Sequence, residues 1–496
     1  MIRSLNWYSS LLIYKDIRVL RILILGFSSG LPILLIFSTL SLWLKSAGID
    51  RSTITIFSWA GLAYSFKFLW APVIDKMPIG YLTKNFGHRK SWLILSQLAL
   101  IILLLMVGFV DPKNNLTLMA FLIVFIGFSS ATQDAMVDTY RIESAPINLQ
   151  SAMSGTYIIG YRLGMITAGA GSLFLASLFG GDEKIYNANA WQRTYMTMAF
   201  LQSLGLLCSL LSPEPTSKRK IIKNFKDRFR LICIFIFSIL SFVSVFNFFP
   251  NIEIEDPFSK GVLTSSKFLI AFLAMFCTFY ISIQIKLIPK QILTSTFWDP
   301  ISNFVKKYGT MAIIILIIIG FYRVADIVMG VVANLFYSDK GYTLNQIATF
   351  SKFWGLLATI FGGLLGGILA SRYNNFIVLL FGAILAASSN LLFALLATLE
   401  PKVSYLMVVI IADNISGGIA SVAFVAFLSS LTNVNFTTSQ FALFTSFMLF
   451  FPKIIGGYSG MIVDSVGYYN FFVLTALMGL PVIVLILVFK NKLYIN

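Results

Sequence analysis

The chain has 496 residues, of which 58% are hydrophobic and only 11% charged, and its mean hydropathy is +0.85. A soluble domain of this length carries about a quarter charged residues, so the composition excludes a soluble protein and makes lipid the solvent. The formal charge of +17 is dispersed over alternate loops, a positive-inside distribution that excludes a nucleic-acid partner.

Arg3, Lys15, Arg18 and Arg21 precede an apolar run too long for the core of a cleaved signal, and no small-x-small site follows, so the first span is expected to stay as an anchor. Spans are predicted near 22–44, 53–74, 92–110, 117–138, 152–178 and 194–212. A basic segment then carries Lys218, Arg219, Lys220, Lys223, Lys226, Arg228 and Arg230 and should remain cytoplasmic. Two further apolar runs, about 231–249 and 268–285, flank an acidic outward loop with Glu253, Glu255 and Asp256. A cytoplasmic stretch from 286 to 308 leads into six more spans near 309–334, 346–370, 376–398, 404–430, 437–463 and 468–489. The expected architecture is all-α, with about fourteen transmembrane helices and both termini cytoplasmic. It divides into a six-helix bundle over 1–212, a linker with an inserted hairpin over 213–308, and a second six-helix bundle over 309–496.

The two sets of six read as repeats. Gly48, Ile54, Phe57 and Ser58 match Gly341, Ile347, Phe350 and Ser351 at one constant spacing, and Gly26-Phe27 matches Gly320-Phe321 with a single-residue shift. Arg162 and Lys453 hold corresponding places in the two fifth spans. Parallel six-helix halves about an axis along the membrane normal are the major-facilitator plan, with substrate held between the halves near the midplane. Gly26/Gly30, Gly160/Gly164, Gly362/Gly366 and Gly456/Gly460 are spaced to let helix backbones approach closely.

Ionisable groups inside spans are expensive and mark an interior cavity. Asp134 and Asp138 share one helix face a turn apart, where two carboxylates do not both ionise cheaply, so one is a candidate proton carrier. Arg162 lies about 15 Å into its span, at the depth of Asp134, so an ion pair between them is one expectation and bidentate binding of a cargo carboxylate another. Arg323 and Asp326 are three apart and read either as a self-neutralising pair or as a proton-linked switch. Lys67, Lys352, Asp413 and Lys453 complete the set, and Trp59, Tyr64, Tyr157, Tyr161 and Trp354 offer ring faces on which sugars stack.

Cys208, Cys233 and Cys277 lie in apolar spans and His88 is the one histidine, so neither a disulfide framework nor a metal centre is expected, and no cofactor is implied. No G-x4-G-K-[ST] loop occurs, so uphill transport would draw on an ion gradient rather than on a Walker ATPase. Mixed-sign charges spread over both halves suit neither an interfacial enzyme site nor the single-sign ring of a channel.

Several blocks resemble one family. They are Gly26-Phe27-Ser28-Ser29-Gly30-Leu31-Pro32, Phe66 to Pro72, Gln133-Asp134 with Asp138, Gly160 to Met165, Pro213-Glu214-Pro215, Tyr322-Arg323 with Asp326, Gly355 to Ile360, Asn414 to Gly418, and Gln440 to Leu443. Together they look like the AmpG-type muropeptide permeases of the major facilitator superfamily. The resemblance implies a monomeric, lipid-embedded importer of the bacterial inner membrane. Driven by protons and working by alternating access, it would return GlcNAc-anhydroMurNAc peptides to the cytoplasm for cell-wall recycling. Asp75-Lys76 and Gly87-His88-Arg89-Lys90 are similar to the cytoplasmic gate of major facilitators, with Asp75, Arg89 and Lys90 as its charges. The alternative is a carrier of the same fold for another anionic metabolite, nucleotide-like or acyl-CoA.

Overall fold

The structure is a computed structural model that describes residues 12–49, 53–54, 57, 62–181, 186–216, 221–248 and 257–493. Every secondary-structure element among them is helical. Among the described residues twelve helices are long and apolar enough to cross a membrane, and the expected count of about fourteen is not confirmed. The run expected over 53–74 is split into Leu62–Phe66, a 3-10 turn at Lys67–Leu69 and Ala71–Lys76, with part of it outside the described residues. In the Pro257–Gln284 helix the apolar stretch found among the described residues is Leu269–Gln284. The acidic loop with Glu253, Glu255 and Asp256 lies outside the described residues, as do Trp59, Ser58 and the side chain of Lys352.

The sequence repeat has a structural cause. Gly48 and Gly341 take φ of +82° and +95°, a region a side chain disfavours. Each closes its helix in the same way: Gly48 N–H donates to Lys45 O at 3.0 Å and Ile49 N–H to Leu44 O at 3.0 Å, while Gly341 N–H donates to Ser338 O at 3.0 Å and Tyr342 N–H to Tyr337 O at 3.1 Å. The turn between the first and second span of each half is therefore the same motif built twice.

Glycines set the tightest crossings. Ile17–Ile36 and Ile147–Ile166 touch backbone to backbone, so that a methyl on Gly30 would sit 2.0 Å from Tyr161 O and one on Gly160 2.1 Å from Leu23 O. In the second half Gly355–Arg372 meets Val403–Leu431 in the same manner, with Gly362 against Ile415 O and Gly418 against Thr359 O. The Gly456/Gly460 pair departs from expectation: a methyl on Gly456 would touch only Val331 at 3.3 Å, and one on Gly460 would meet nothing within 4 Å. Further back on the same helix, the Phe447 and Phe451 rings close on Gly320 of Met311–Phe321.

The halves meet along two lines. Ile147–Ile166 crosses Gly355–Arg372 where Gly155 faces Gly363 and Gly367, and Thr437–Gly457 runs against Leu116–Glu143 and Ala71–Lys76. Phe225–Phe248 and Pro257–Gln284 pair with each other at the periphery, where Leu231 and Ile234 pack on Val73 and Phe272 lies 5.6 Å from the Phe66 ring. Their outer faces expose Phe237, Leu240, Leu269, Leu273 and Phe276, as lipid contact requires.

Candidate functional site: a charged interior and a cytoplasmic latch

Charges sit where helices break. Lys67 opens the 3-10 turn between Leu62–Phe66 and Ala71–Lys76, and Arg323 interrupts Met311–Phe321 and Val324–Asp339 with φ −100° and ψ 4°. Lys352 falls within the π-helical segment Ala348–Trp354, and Arg162 lies one turn before another, Thr167–Gly171. Breaks in spans are tolerated where they line a polar cavity, and carriers place their sites there.

On Leu116–Glu143, Gln133 fixes the register: its Nε2 donates to Ser28 Oγ at 3.1 Å and its Oε1 accepts from Gln202 Nε2 at 2.7 Å. Asp134 is thereby held in the interior, 6% exposed, with Oδ1 lacking any hydrogen-bond partner. Its charged neighbours are Lys67, itself buried, and Asp138. Asp138 is buried too, 5% exposed, and pairs with Arg141 at 3.4 Å. Tyr64 donates to Ser130 at 2.7 Å, and the Tyr157 and Tyr161 rings lie 5.8 Å apart beside the two acids. Trp354 instead stands 43% exposed against Phe353.

The second half contributes the Arg323–Asp326 ion pair, with Arg323 also donating to Ser421. Asp413 accepts from Ser389 Oγ at 2.9 Å and feels both members of that pair. Arg162 does not bond Asp134. It faces Arg323 and Asp326 across the seam, and its hydrogen bond goes to Met165 Sδ at 3.7 Å. The guanidinium is thus left beside a like charge, with no carboxylate bonded to it among the described residues. Lys453 is exposed and reaches Ser65 of the first half at 2.6 Å.

At the end of the bundle expected to face the cytoplasm, Arg89, 1% exposed, ties three elements together. It donates to Asp75 at 2.7 Å, grips Glu143 through two bonds at 2.7 and 3.2 Å, and reaches Thr438 of the second half at 2.9 Å. Asp75 in turn accepts the Ser439 backbone N–H at 2.8 Å and its hydroxyl, so it caps the first turn of Thr437–Gly457. Burial alone would raise the Asp75 carboxyl, but Arg89, Ser439 and Thr438 hold it below the usual carboxylate range. Lys90 turns away: its ammonium donates to Leu210 O at 3.1 Å, and its backbone N–H, with that of Arg89, is capped by Glu214, each at 3.0 Å. Gly87, with φ +87°, leaves room for that carboxylate, which a methyl would meet at 2.4 Å. These bonds join Ala71–Lys76, His88–Phe109 and Leu116–Glu143 to Thr437–Gly457.

Arg141, Glu143, Glu214, Thr438 and Ser439 were not anticipated. The fourth span was expected to end near 138, whereas its helix runs to Glu143, which brings Arg141 and Glu143 indoors. The three-residue spacing of Asp138 and Arg141 was a legible signal; the Thr438 and Ser439 contacts arise only from tertiary docking.

The profile of the Major Facilitator Superfamily matches residues 22–349. A Rickettsia conorii protein described as a putative transporter, AmpG 4, is 30% identical over 97% of this chain and 98% of its own length. The Escherichia coli anhydromuropeptide permease is 29% identical over 97% of this chain and 81% of its own length. Among solved structures, the Escherichia coli fucose:proton symporter FucP superposes with a TM-score of 0.61 at 12% identity, over 97% of this chain and 99% of that one, a likeness of fold. Fold and profile define a secondary-transporter class of membrane protein, a carrier of small molecules and not an enzyme. The chain belongs to the Major Facilitator Superfamily, in its AmpG-type permease branch, and is a multi-pass protein of the inner membrane.

Proposed function

We propose that this chain imports anhydro-muropeptides together with protons, by alternating access between bundles over 1–212 and 309–496, with the hairpin of 213–308 peripheral to transport. The chain works as a monomer embedded in lipid, without a cofactor. The observation that carries the reading is Arg162, a guanidinium on the seam that faces Arg323 and bonds no carboxylate among the described residues. A guanidinium left without a bonded carboxylate suits a carboxylate-bearing cargo, which the arginine fork fits bidentately. The Tyr157 and Tyr161 rings nearby offer faces for the sugars. The name of the Escherichia coli relative supplies the cargo.

Protons would enter through Asp134, whose unpartnered Oδ1 is open to a proton and whose neighbour Lys67 changes its hold when that charge is lost. Asp326, paired with Arg323, and Asp413 are the second-half acids that sense the same centre. Asp75 and Arg89 hold the cytoplasmic side shut while the outer side loads, Lys90 serves the loop, and Lys453 reaches Ser65 of the first half. The test is thermal-shift screening of purified protein against anhydro-muropeptides, nucleotides and acyl-CoA, since a ligand of the folded form raises its melting temperature. A shift with muropeptides alone supports the assignment; a shift only with acyl-CoA or nucleotides replaces the cargo.

A further inference from the structure

Arg141 is entirely buried, yet none of the residues expected to act in transport accounts for it. Its guanidinium touches both halves. Nη2 pairs with Asp138 at 3.4 Å and Nη1 donates to Ser154 at 2.7 Å, while its centre lies 5.9 Å from the Tyr157 ring and 5.5 Å from the Phe441 ring of the second half. Nε has no partner at all. Two residues further along the same helix Glu143 enters the Arg89 latch, and Phe441 lies two residues beyond the Ser439 that caps on Asp75. Arg141 therefore stands between the acid pair in the interior and the contacts that close the cytoplasmic side.

We propose that Arg141 is a positioning residue that carries the protonation state of Asp138 to the cytoplasmic seam: with Asp138 ionised, the guanidinium is seated between Tyr157 and Phe441 and fastens the halves, and with Asp138 protonated it leaves that seat and the seam opens. The inference rests on the carrier reading above. Asp138 is the one carboxylate bonded to Arg141 among the described residues. Once neutral, it leaves a buried cation with a hydroxyl and two ring faces, and those attractions do not replace a lost counter-charge. The guanidinium then gains by moving to water, which it reaches only if Phe441 and its helix withdraw. Asp138 faces Asp134 and Arg141 on its own helix, Lys67 from the turn in the second span, and Tyr157 and Tyr161 from Ile147–Ile166. A proton delivered to this cluster from outside thus favours opening toward the cytoplasm, the direction an importer needs.

The test uses the full chain in lipid nanodiscs, with Cys208, Cys233 and Cys277 replaced by serine and nitroxides placed on Lys84→Cys and Asn435→Cys. Both positions are exposed, on opposite halves at the cytoplasmic side and outside the network. Pulsed electron resonance reads the distance between them. From about pH 8 to about pH 5 the ratio of long to short distances should rise about tenfold in the otherwise unaltered chain. In Arg141→Gln it should change by less than about twofold, with long distances dominant throughout. Arg141→Lys should restore the pH response. Asp138→Asn should be open at every pH with Arg141 present, and this variant carries the test if Arg141→Gln does not fold. A normal pH response in Arg141→Gln or Asp138→Asn, or none in the otherwise unaltered chain, overturns the proposal. The measurement needs no cargo, so failure to bind muropeptides would refute the cargo assignment while leaving this inference standing.

Discussion

In the N-terminal half the backbone at Gly160 and Gly164 lies against Leu23 and Phe27, whereas in the C-terminal half a methyl on Gly456 would meet only the Val331 side chain, one on Gly460 would meet nothing within 4 Å, and the seam at Gly320 is filled by Phe447 and Phe451. One glycine spacing thus supports two kinds of contact. Backbone against backbone has no slack, while aromatic side chains can repack as helices slide. The charges differ in the same sense. The first half holds two acids between Lys67 and Arg141, and the second holds a pair, Arg323 and Asp326, that neutralises itself. The comparison teaches that the two fifth spans are built differently, the one at Gly160 fixed by main chain and the other adjusting at the ring-filled contact with Gly320.

The sharpest way to break this comparison is to put a methyl on each seam. Gly160→Ala should destabilise the protein by about 3 kcal/mol, because its neighbour is main chain and cannot rotate away. Gly460→Ala should lie within about 0.5 kcal/mol of the parent, and equal losses of melting temperature in detergent would erase the distinction. A smaller effect separates the corresponding cations. Arg162→Lys should lower muropeptide uptake about tenfold, about 1.4 kcal/mol, through lost bidentate geometry. Lys453→Arg, at an exposed position bonded to Ser65, should retain uptake near the parental level. Parental uptake by Arg162→Lys would demote Arg162 to a packing residue.

The smallest effect concerns the latch. The folded Asp75 carboxyl is held below its ordinary value, so its contribution is complete above the unfolded value of about 4 and is lost only as pH falls through the lowered one. Labelling of a cysteine at Asn435 should therefore show no pH step near 6 to 7 that Asp75→Asn removes. Such a step, abolished by that variant, would move the pH sensor from the interior to the latch.

Much of this was legible in the chain. The paired turns at Gly48 and Gly341 were readable because a left-handed turn demands glycine locally. Asp134, Lys67 and Arg323 stood out because an ionisable group in an apolar run has no local excuse. Partners were less legible, since Arg162 faces Arg323 and Asp326 rather than the acid at its own depth, and depth along a span says nothing of azimuth. Arg141 and Glu143 were hidden by hydropathy, which ends a span at its first charges while the helix and its burial continue. The loose surroundings of Gly456 and Gly460 depend on which residues the neighbouring helices bring, which spacing does not encode.

The most direct test of the account is uptake in proteoliposomes by the parent chain and Asp134→Asn, run both as accumulation under an inward proton gradient and as exchange without one. The account predicts that the parent accumulates anhydro-muropeptide, and that Asp134→Asn loses accumulation yet still exchanges labelled for unlabelled cargo. Full uphill accumulation by Asp134→Asn, or accumulation by the parent that is indifferent to the gradient, would contradict it.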